Sequence, residues 1–138
     1  MKMIFIIVFV GLGLSTAYTQ AVKKTEIPSL VKTAFAKMYP GIAAAMWSKE
    51  INQYRARFST GTYKGSVVFA STGKWTEREI AIPVSALPVK VKKYMQVYYK
   101  KEKLTGAAKI IKASGELIFE AEIKGQDLYF TKDGDFIK

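Results

Sequence analysis

The stretch IPSLVKTAFAKMY, residues Ile27–Tyr39, decides the fold of this 138-residue chain, because it predicts the helix around which the other elements are arranged. Its apolar residues recur at i, i+3, i+4, i+7, i+8 and i+11, which places them on one stripe of a helix. Those residues are Ile27, Leu30, Val31, Ala34, Phe35 and Met38. Pro28 suits the first helical turn, and Pro40-Gly41 predicts the end of the helix.

A second segment of the same kind, LPVKVKKYMQVYY at Leu87–Tyr99, predicts a second helix. Ser85 is its predicted N-cap, and Pro88 falls in its first turn. Its apolar stripe comprises Leu87, Val91, Tyr94, Met95 and Tyr98. Lysines occupy its other surfaces, so we expect the exposed side of this helix to be basic.

Segments between and after the two helices alternate in polarity or are rich in β-formers, and turn residues bound them, which predicts strands. The strands predicted after the first helix are Ile42–Glu50, Gln53–Ser59, Ser66–Ala70 and Trp75–Ile82. The start of the first strand stays open, because Ala43–Ala45 could prolong a helix. Those predicted after the second helix are Ala107–Ala113, Leu117–Ile123, Asp127–Thr131 and Asp135–Ile137. The loop Gly61–Gly65 and the hairpin turn Ser71–Lys74 are expected to project from the sheet edge.

The two halves of the chain match element by element. The matching pairs are Ile27-Pro28 with Leu87-Pro88, YRARF from Tyr54 with FEAEI from Phe119, and VFASTGKW from Val68 with YFTKDGDF from Tyr129, at offsets of 60, 65 and 61. We therefore predict an α+β fold, a tandem repeat of a helix followed by about four antiparallel strands, over residues 27–82 and 85–138. The helices would pack on one face of the sheet and leave the other face open to water. Whether the repeats share one continuous sheet stays open.

The first twenty residues predict an export signal. Lys2 gives a positive start, and Ile4–Leu14 is an apolar run too short for a comfortable membrane span. Small or polar residues follow, so cleavage is expected between Ala17 and Ala21. We expect a periplasmic or secreted protein whose mature domain covers residues 21–138; an uncleaved membrane anchor is the alternative.

The composition limits which partners the protein favours and which kinds of active site it can contain. The chain carries 22 basic and 11 acidic residues, a formal charge of +11, which favours anionic partners such as acidic proteins, lipid phosphates or cell-wall polymers. Export and the even spread of the lysines argue against nucleic acid. The chain has no cysteine and no histidine, which excludes disulfides, thiol nucleophiles, histidine-based hydrolases and typical zinc or haem sites. We expect no catalytic residues, no cofactor and no metal.

The order of these motifs resembles a known family. The pattern IP..V..AF...YP, then a tryptophan strand, Y.A.F and a glycine-containing hairpin, repeated after LP..V, is similar to the PepSY-like periplasmic proteins of Bacteroidetes. The resemblance extends from Ile27 to Lys138 and implies a fold like that of the β-lactamase inhibitor protein, with a curved sheet. It also implies peptidase inhibition, because PepSY-type domains are associated with it and the inhibitor protein binds its target with its concave sheet and projecting hairpins. It assigns no inhibitory residue in this chain.

Candidate binding residues lie on the predicted open sheet face. Arg55 and Arg57 alternate with the apolar side of their strand, and Glu120 and Glu122 occupy the equivalent places in the second half. This predicts a face with a basic half and an acidic half, complementary to a partner. The alternative is a solvated face with weak cross-strand ion pairs.

Aromatic residues are further candidates for binding, and one pair of carboxylates is a candidate for acid–base chemistry. Tryptophan and tyrosine are enriched at binding hot spots. The aromatic residues that we do not expect all to be buried are Trp47, Trp75, Tyr63, Tyr99 and Tyr129. For Trp47 the core is favoured. Glu77 and Glu79 share one face of a strand, but a carboxylate pair acts in acid–base chemistry only within a cleft, which the sequence does not predict.

The sequence therefore predicts a non-enzymatic, exported protein-binding module that uses the open sheet face and hairpin loops. The resemblance implies that this module is inhibitor-like. The predicted binding residues are Arg55, Arg57, Tyr63, Trp75, Glu120 and Glu122. Its partner would be an exported or envelope protein, with peptidases and other hydrolases as candidates. The alternative is an envelope-associated structural protein that binds anionic lipids or polymers through its basic surface.

Overall fold

The described part of the chain forms a single antiparallel sheet with two helices on one face. A computed structural model describes residues 20–61 and 63–138, so the predicted export signal lies outside the described residues except for Gln20. The sheet has eight strands in chain order. They are β1 Gln20–Ala21, β2 Met46–Glu50, β3 Gln53–Thr60, β4 Tyr63–Ala70, β5 Trp75–Ile82, β6 Gly106–Lys112, β7 Leu117–Ile123 and β8 Gln126–Thr131. The predicted α+β class is confirmed.

The two helices are α1 Ser29–Met38 and α2 Val89–Tyr98, each slightly shorter than predicted. A 3₁₀ turn precedes each helix, at Lys24–Glu26 and at Val84–Ala86. No helix in the described part of the chain is long and apolar enough to cross a membrane.

The N-cap predicted at Ser85 is wrong. Ser85 lies inside the 3₁₀ turn, and Pro88 occupies the N-cap of α2 with an extended ψ of 144°. Leu87, which precedes this proline, is also extended, because a proline ring disfavours helical geometry at the residue before it. The proline therefore sets the start of the helix, and α1 begins after Pro28 in the same way.

Each helix packs on the sheet along a narrow stripe. Val31 and Phe35 of α1 are buried, as are Val91 and Met95 of α2. Two residues assigned to the apolar stripes are exposed instead, Leu30 at 60% and Tyr98 at 68%. Leu30 lies to one side of the contact line, and Tyr98 is the last residue of its helix, so neither reaches the sheet.

The sheet is continuous across the two halves, which answers the question that the sequence leaves open. Strand β5 pairs with β6 over six residues, from Glu77 opposite Lys112 to Ile82 opposite Ala107. Beneath the helices, however, the core is divided into two clusters. The cluster under α1 contains Ile27, Val31, Phe35, Trp47, Ala56, Phe58, Val67 and Phe69. The cluster under α2 contains Leu87, Val91, Met95, Ala107, Phe119, Ala121, Ile123, Leu128 and Phe130.

Two boundaries in the first half differ from prediction. The strand predicted from Ile42 begins at Met46. The loop predicted at Gly61–Gly65 is tighter, because Thr60 already pairs with Tyr63 and Gly65 lies within β4 opposite Phe58.

The second half ends differently from the first. The strand predicted at Asp135–Ile137 is absent, and Phe136 makes only an isolated bridge to Phe130. The Ile137 N–H donates to the Tyr129 carbonyl, while the Tyr129 N–H donates to the Lys138 carbonyl. Two residues thus oppose one, as in a β-bulge, and the ladder does not continue. Four strands follow α1, whereas three follow α2.

Candidate binding face of the sheet

The sheet face opposite the helices, called here the open face, is defined by the strand register. Arg55 and Arg57 of β3 point to this face, because Ala56 and Phe58 between them are buried in the cluster under α1. One row across the sheet runs Arg55, Val68, Glu77 and Lys112, and the next runs Arg57, Ser66, Glu79, Ile110 and Ile118. Further along, Glu120 lies opposite Tyr129 and Glu122 opposite Asp127. The predicted placement of both arginines and both glutamates on one face is confirmed.

The open face is concave. Two adjoining cavities of about 320 and 580 Å³ lie on it and share Arg57, Glu79 and Glu120 in their walls. Together they form a depression, called here the trough. The sequence predicts no cleft beside Glu77 and Glu79, but both carboxylates line the trough.

Arg55 is the centre of an ion-pair network at one end of the trough. Its Nε lies 2.7 Å from Glu50 Oε1, and its guanidinium lies 3.6 Å from Glu77 and 4.0 Å from Glu79. It also donates to Ser66 Oγ at 3.1 Å. Burial lowers the pKa of Arg55, but the three carboxylates outweigh this effect and hold the pKa above its usual value. Arg55 is therefore a neutralised structural cation, as the cross-strand ion-pair alternative predicts, while Arg57 remains exposed.

Carboxyl groups accumulate towards the other end of the trough. Burial, and then the negative charges of Glu79 and Asp127, raise the pKa of Glu120 to about 8. Burial also raises the pKa of Glu79, although Arg55 opposes the shift. Tyr129 is affected in the same way, since burial and the charge of Glu120 raise its pKa. Carboxyl groups are therefore crowded at this end of the face, and the crowding disfavours their charged forms.

The sign of the open face is opposite to that of the whole chain. Seven of the eleven acidic residues lie on it or at its rim, against five basic residues. The acidic residues are Glu50, Glu77, Glu79, Glu116, Glu120, Glu122 and Asp127. The basic residues are Arg55, Arg57, Lys64, Lys112 and Lys138. Within residues 20–61 and 63–138, no group of three acidic side chains converges closely enough to hold a metal ion. The carboxylates are instead distributed along the trough.

Two predicted binding residues lie on the helix side of the sheet and not on the open face. Tyr63 stacks on Phe58 with ring centroids 5.6 Å apart and packs against the cluster under α1. Trp75 packs against the same cluster, with the Arg78 guanidinium 5.0 Å from its ring centroid. The structure therefore does not bring Tyr63 and Trp75 together with Arg57 and Glu120.

A β-bulge explains why strand alternation misplaces Trp75. By alternation, Trp75 would share the open face with Glu77 and Glu79. The register shifts between Val68 and Phe69, so that Trp75 lies opposite Phe69, whose side chain is in the core. The remaining aromatic candidates lie in three different places. Trp47 is buried in the core, as the sequence favours. Tyr99 packs against the cluster under α2, and Tyr129 lies on the open face.

Solved structures share this fold. A protein from Bacteroides eggerthii, described as one of its "putative periplasmic proteins", superposes with a TM-score of 0.72 at 19% identity, covering 80% of this chain and 86% of that one. A DUF2874 family protein from Bacteroides ovatus gives 0.68 at 22% identity, covering 80% and 84%. A BLIP-like protein from Bacteroides fragilis gives 0.59 at 21% identity, with the same coverage. At these identities the likeness establishes the fold alone.

Sequence comparison identifies the family. No curated protein matches the sequence. A model of the family described as "Putative beta-lactamase-inhibitor-like, PepSY-like" matches residues 52–138, which is more than half of the chain. The protein therefore belongs to the PepSY-like, beta-lactamase-inhibitor-like family, as its motifs predict.

Proposed function

We propose that this protein is an exported, non-enzymatic binding module whose trough receives a cationic element of a partner protein. The observation that carries the proposal is the acidic excess of a concave face in an otherwise basic chain. The overall charge favours anionic partners, but the open face has the opposite preference. Complementary charge of this kind steers a partner and fixes its orientation.

The state of Glu120 explains how such a partner would bind. Its pKa of about 8 reflects burial and crowding by neighbouring carboxylates, both of which disfavour its charged form. An arginine or lysine side chain placed between Glu120 and Asp127 would supply the missing counter-charge. It would also form charge-assisted hydrogen bonds, which are stronger than neutral ones.

The family, and the location given for similar solved structures, support one kind of partner protein. The solved relatives described as periplasmic support an exported location for this chain, and the inhibitor-like family supports an exported or envelope enzyme as partner. A peptidase or other hydrolase that presents a basic loop to the trough would then be inhibited by occlusion. Arg57 at the rim would contact acidic groups that flank this loop.

We also propose that the two halves are copies of one helix-and-strand unit. In both, a 3₁₀ turn and a proline precede a ten-residue helix, and a turn glycine lies against the first turn of that helix, Gly73 at Leu30 and Gly134 at Lys90. The copies have diverged on the open face, where the first contributes both arginines and the second contributes Glu120 and Glu122.

The proposal is tested by comparing two charge-neutralised variants as bait in periplasmic extract. Glu120→Gln with Asp127→Asn removes two carboxylates from the trough, and Glu102→Gln with Asp133→Asn removes two exposed carboxylates elsewhere. We expect a stoichiometric partner that the wild type and the second variant retain and the first variant loses. Equal capture by both variants would overturn the proposal.

A defined probe locates the contact without knowledge of the partner. We expect a hexa-arginine peptide to shift the amide resonances of β5–β8 on titration, with a hexaglutamate peptide producing no shifts there. Shifts confined to other elements would place cation binding outside the trough and contradict the proposal.

A further inference from the structure

An exposed apolar surface lies on the other side of the molecule, along α2. Lys90, Tyr94, Val97 and Tyr98 are spaced i, i+4, i+7 and i+8 and therefore follow one another along the helix. Val97 is 59% exposed and Tyr98 is 68% exposed, and Phe136, beyond β8, is 41% exposed. The exposed apolar residues thus form a group beside the sheet.

These aromatic side chains form one contiguous array. The Tyr94 ring stacks on Phe136 with centroids 4.8 Å apart and packs on Tyr98 at 4.5 Å. Tyr94 and Phe136 also contact Phe130, which is fully buried. The α2 patch, defined as Tyr94, Val97, Tyr98 and Phe136, is therefore anchored in the core at one end and open to solvent at the other.

Positive charge surrounds the patch. Residues 89–103 contain six lysines and one acidic residue, Glu102. The lysines are Lys90, Lys92, Lys93, Lys100, Lys101 and Lys103. Two further carboxylates lie nearby, but Asp135 pairs with Lys90 and Asp133 pairs with Lys132. With Lys90 neutralised by Asp135, five lysines against Glu102 remain in this segment, so the surroundings of the patch are basic.

Comparison with α1 shows that the fold does not require this surface. The two helices share an apolar residue at each buried position, Val31 and Val91, then Phe35 and Met95. They differ at five of the other positions, where Leu30, Thr33, Ala34, Lys37 and Met38 of α1 correspond to Lys90, Lys93, Tyr94, Val97 and Tyr98 of α2. Pro40-Gly41 after α1 corresponds to Lys100-Lys101 after α2. Val97 and Tyr98 are exposed, and α2 with the segment after it carries more lysines than α1, so packing in the core does not account for these side chains.

We propose that the α2 patch docks on an anionic lipid surface. Tyrosine rings, exposed aliphatic groups and a surrounding set of lysines are the combination that suits a membrane–water interface, where lysines reach phosphates and rings enter the headgroup region. A soluble anionic polymer would use the lysines but would not draw Val97 and Phe136 out of water. Because α2 lies opposite the open face, a protein docked in this way presents the trough away from the lipid.

The test is co-sedimentation of the exported product of the full chain with vesicles. One set is phosphatidylcholine alone, and the other contains about one third phosphatidylglycerol. We expect binding to the anionic vesicles only, which also controls for any retained leader, since an apolar leader would bind both sets. Equal binding to the two sets would overturn the proposal.

Matched variants assign the binding to α2. Lys93→Gln with Val97→Ser removes one charge and one exposed aliphatic side chain from α2, and Lys37→Gln with Leu30→Ser removes the same from α1, where Leu30 is 60% exposed. We expect the α2 variant to lose at least about fivefold in affinity, the effect of one lysine near an anionic surface, and the α1 variant less than about twofold. An equal loss in both would contradict the assignment.

Tyr98→Ser separates insertion into the lipid interface from adhesion by charge alone. This change leaves the net charge unaltered and affects an exposed side chain, so the fold is retained. We expect it also to weaken vesicle binding severalfold. If Tyr98→Ser binds as well as wild type, or if soluble dextran sulfate competes as strongly as anionic vesicles, the lipid proposal fails in favour of a polymer ligand.

Discussion

At the scale of single residues, Glu120 shows how the trough affects the stability of the protein. Its pKa of about 8 lies above the ordinary value of a glutamate, so the folded state retains a proton that the unfolded chain releases. Stability that depends on this proton is present at low pH and is lost as pH rises from about 4.3 towards 8. The trough is thus a place where a buried carboxyl group lowers the stability of the protein as pH rises.

Glu120→Gln is expected to stabilise the protein at pH 8 by about 1–2 kcal/mol, after allowance for partial exposure, and to have little effect near pH 4. Urea denaturation at the two pH values measures the difference. Glu122→Gln is the control, because Glu122 is an exposed carboxylate on the same strand and face, and it should change stability by less than about 0.5 kcal/mol. A stabilisation by Glu120→Gln that does not vary with pH would contradict the prediction.

At the scale of elements, the turn between β4 and β5 is fitted closely against α1. Gly73 has a φ of +86°, and a Cβ at this position would lie 2.8 Å from the Leu30 carbonyl oxygen. Gly115, in the turn between β6 and β7, has a similar φ of +91° but open space around it. A side chain at Gly73 would therefore meet both backbone strain and the helix, whereas a side chain at Gly115 would meet backbone strain alone.

Gly73→Ala is expected to destabilise the protein by about 2–3 kcal/mol, since backbone strain is combined with a clash that moves α1. Gly115→Ala should cost about 1 kcal/mol, from backbone strain alone. Denaturant midpoints of the two variants measure the difference. Equal losses would show that the turn is not held against the helix.

Local sequence patterns predict these elements where local physics determines them. Strict alternation predicts β7 at Leu117–Ile123 with correct bounds, and Pro83 ends β5 at Ile82 as expected. Two predictions are wrong because a β-bulge changes the strand pairing, which alternation of polarity does not encode. A bulge turns Trp75 to the helix side. Beyond β8, a second bulge opposite Tyr129 leaves Phe136 with one isolated bridge in place of the predicted strand.

The candidate site is predicted only in part, because it depends on contacts between distant strands. Alternation places Arg55 and Arg57 on one face, and Glu120 and Glu122 on the same face of the second half. Glu120 and Glu122 come to lie on one sheet with Glu79 because β5 pairs with β6, and no local pattern specifies that pairing. The neutralisation of Arg55 and the cleft beside Glu77 follow from that pairing and from sheet curvature.

At the scale of the whole molecule, one sheet joins two separate cores. Strands β5 and β6 connect the halves by backbone pairing, while each helix covers its own apolar cluster. Phe69 and Phe130 are the corresponding fully buried phenylalanines of the two clusters. The halves should therefore differ in local stability when one core is damaged.

Phe130→Ala should cost about 3–5 kcal/mol and should increase amide hydrogen exchange first in β7, β8 and α2, with β2–β4 remaining protected. Phe69→Ala is the matched variant and should give the reverse pattern. Hydrogen exchange read by mass spectrometry distinguishes them. Uniform loss of protection in both variants would show that the sheet unfolds as one cooperative unit.

The opposite charges of the open face and of α2 have a consequence before any contact is made. Their separation across the thickness of the sheet gives the molecule a permanent electric dipole moment, directed from the trough to the helical layer. Within about 10 Å of a charged surface at moderate salt, this dipole exerts a torque on the tumbling protein. Encounters with anionic surfaces would then be biased towards one orientation, helices first, and added salt would randomise the approach.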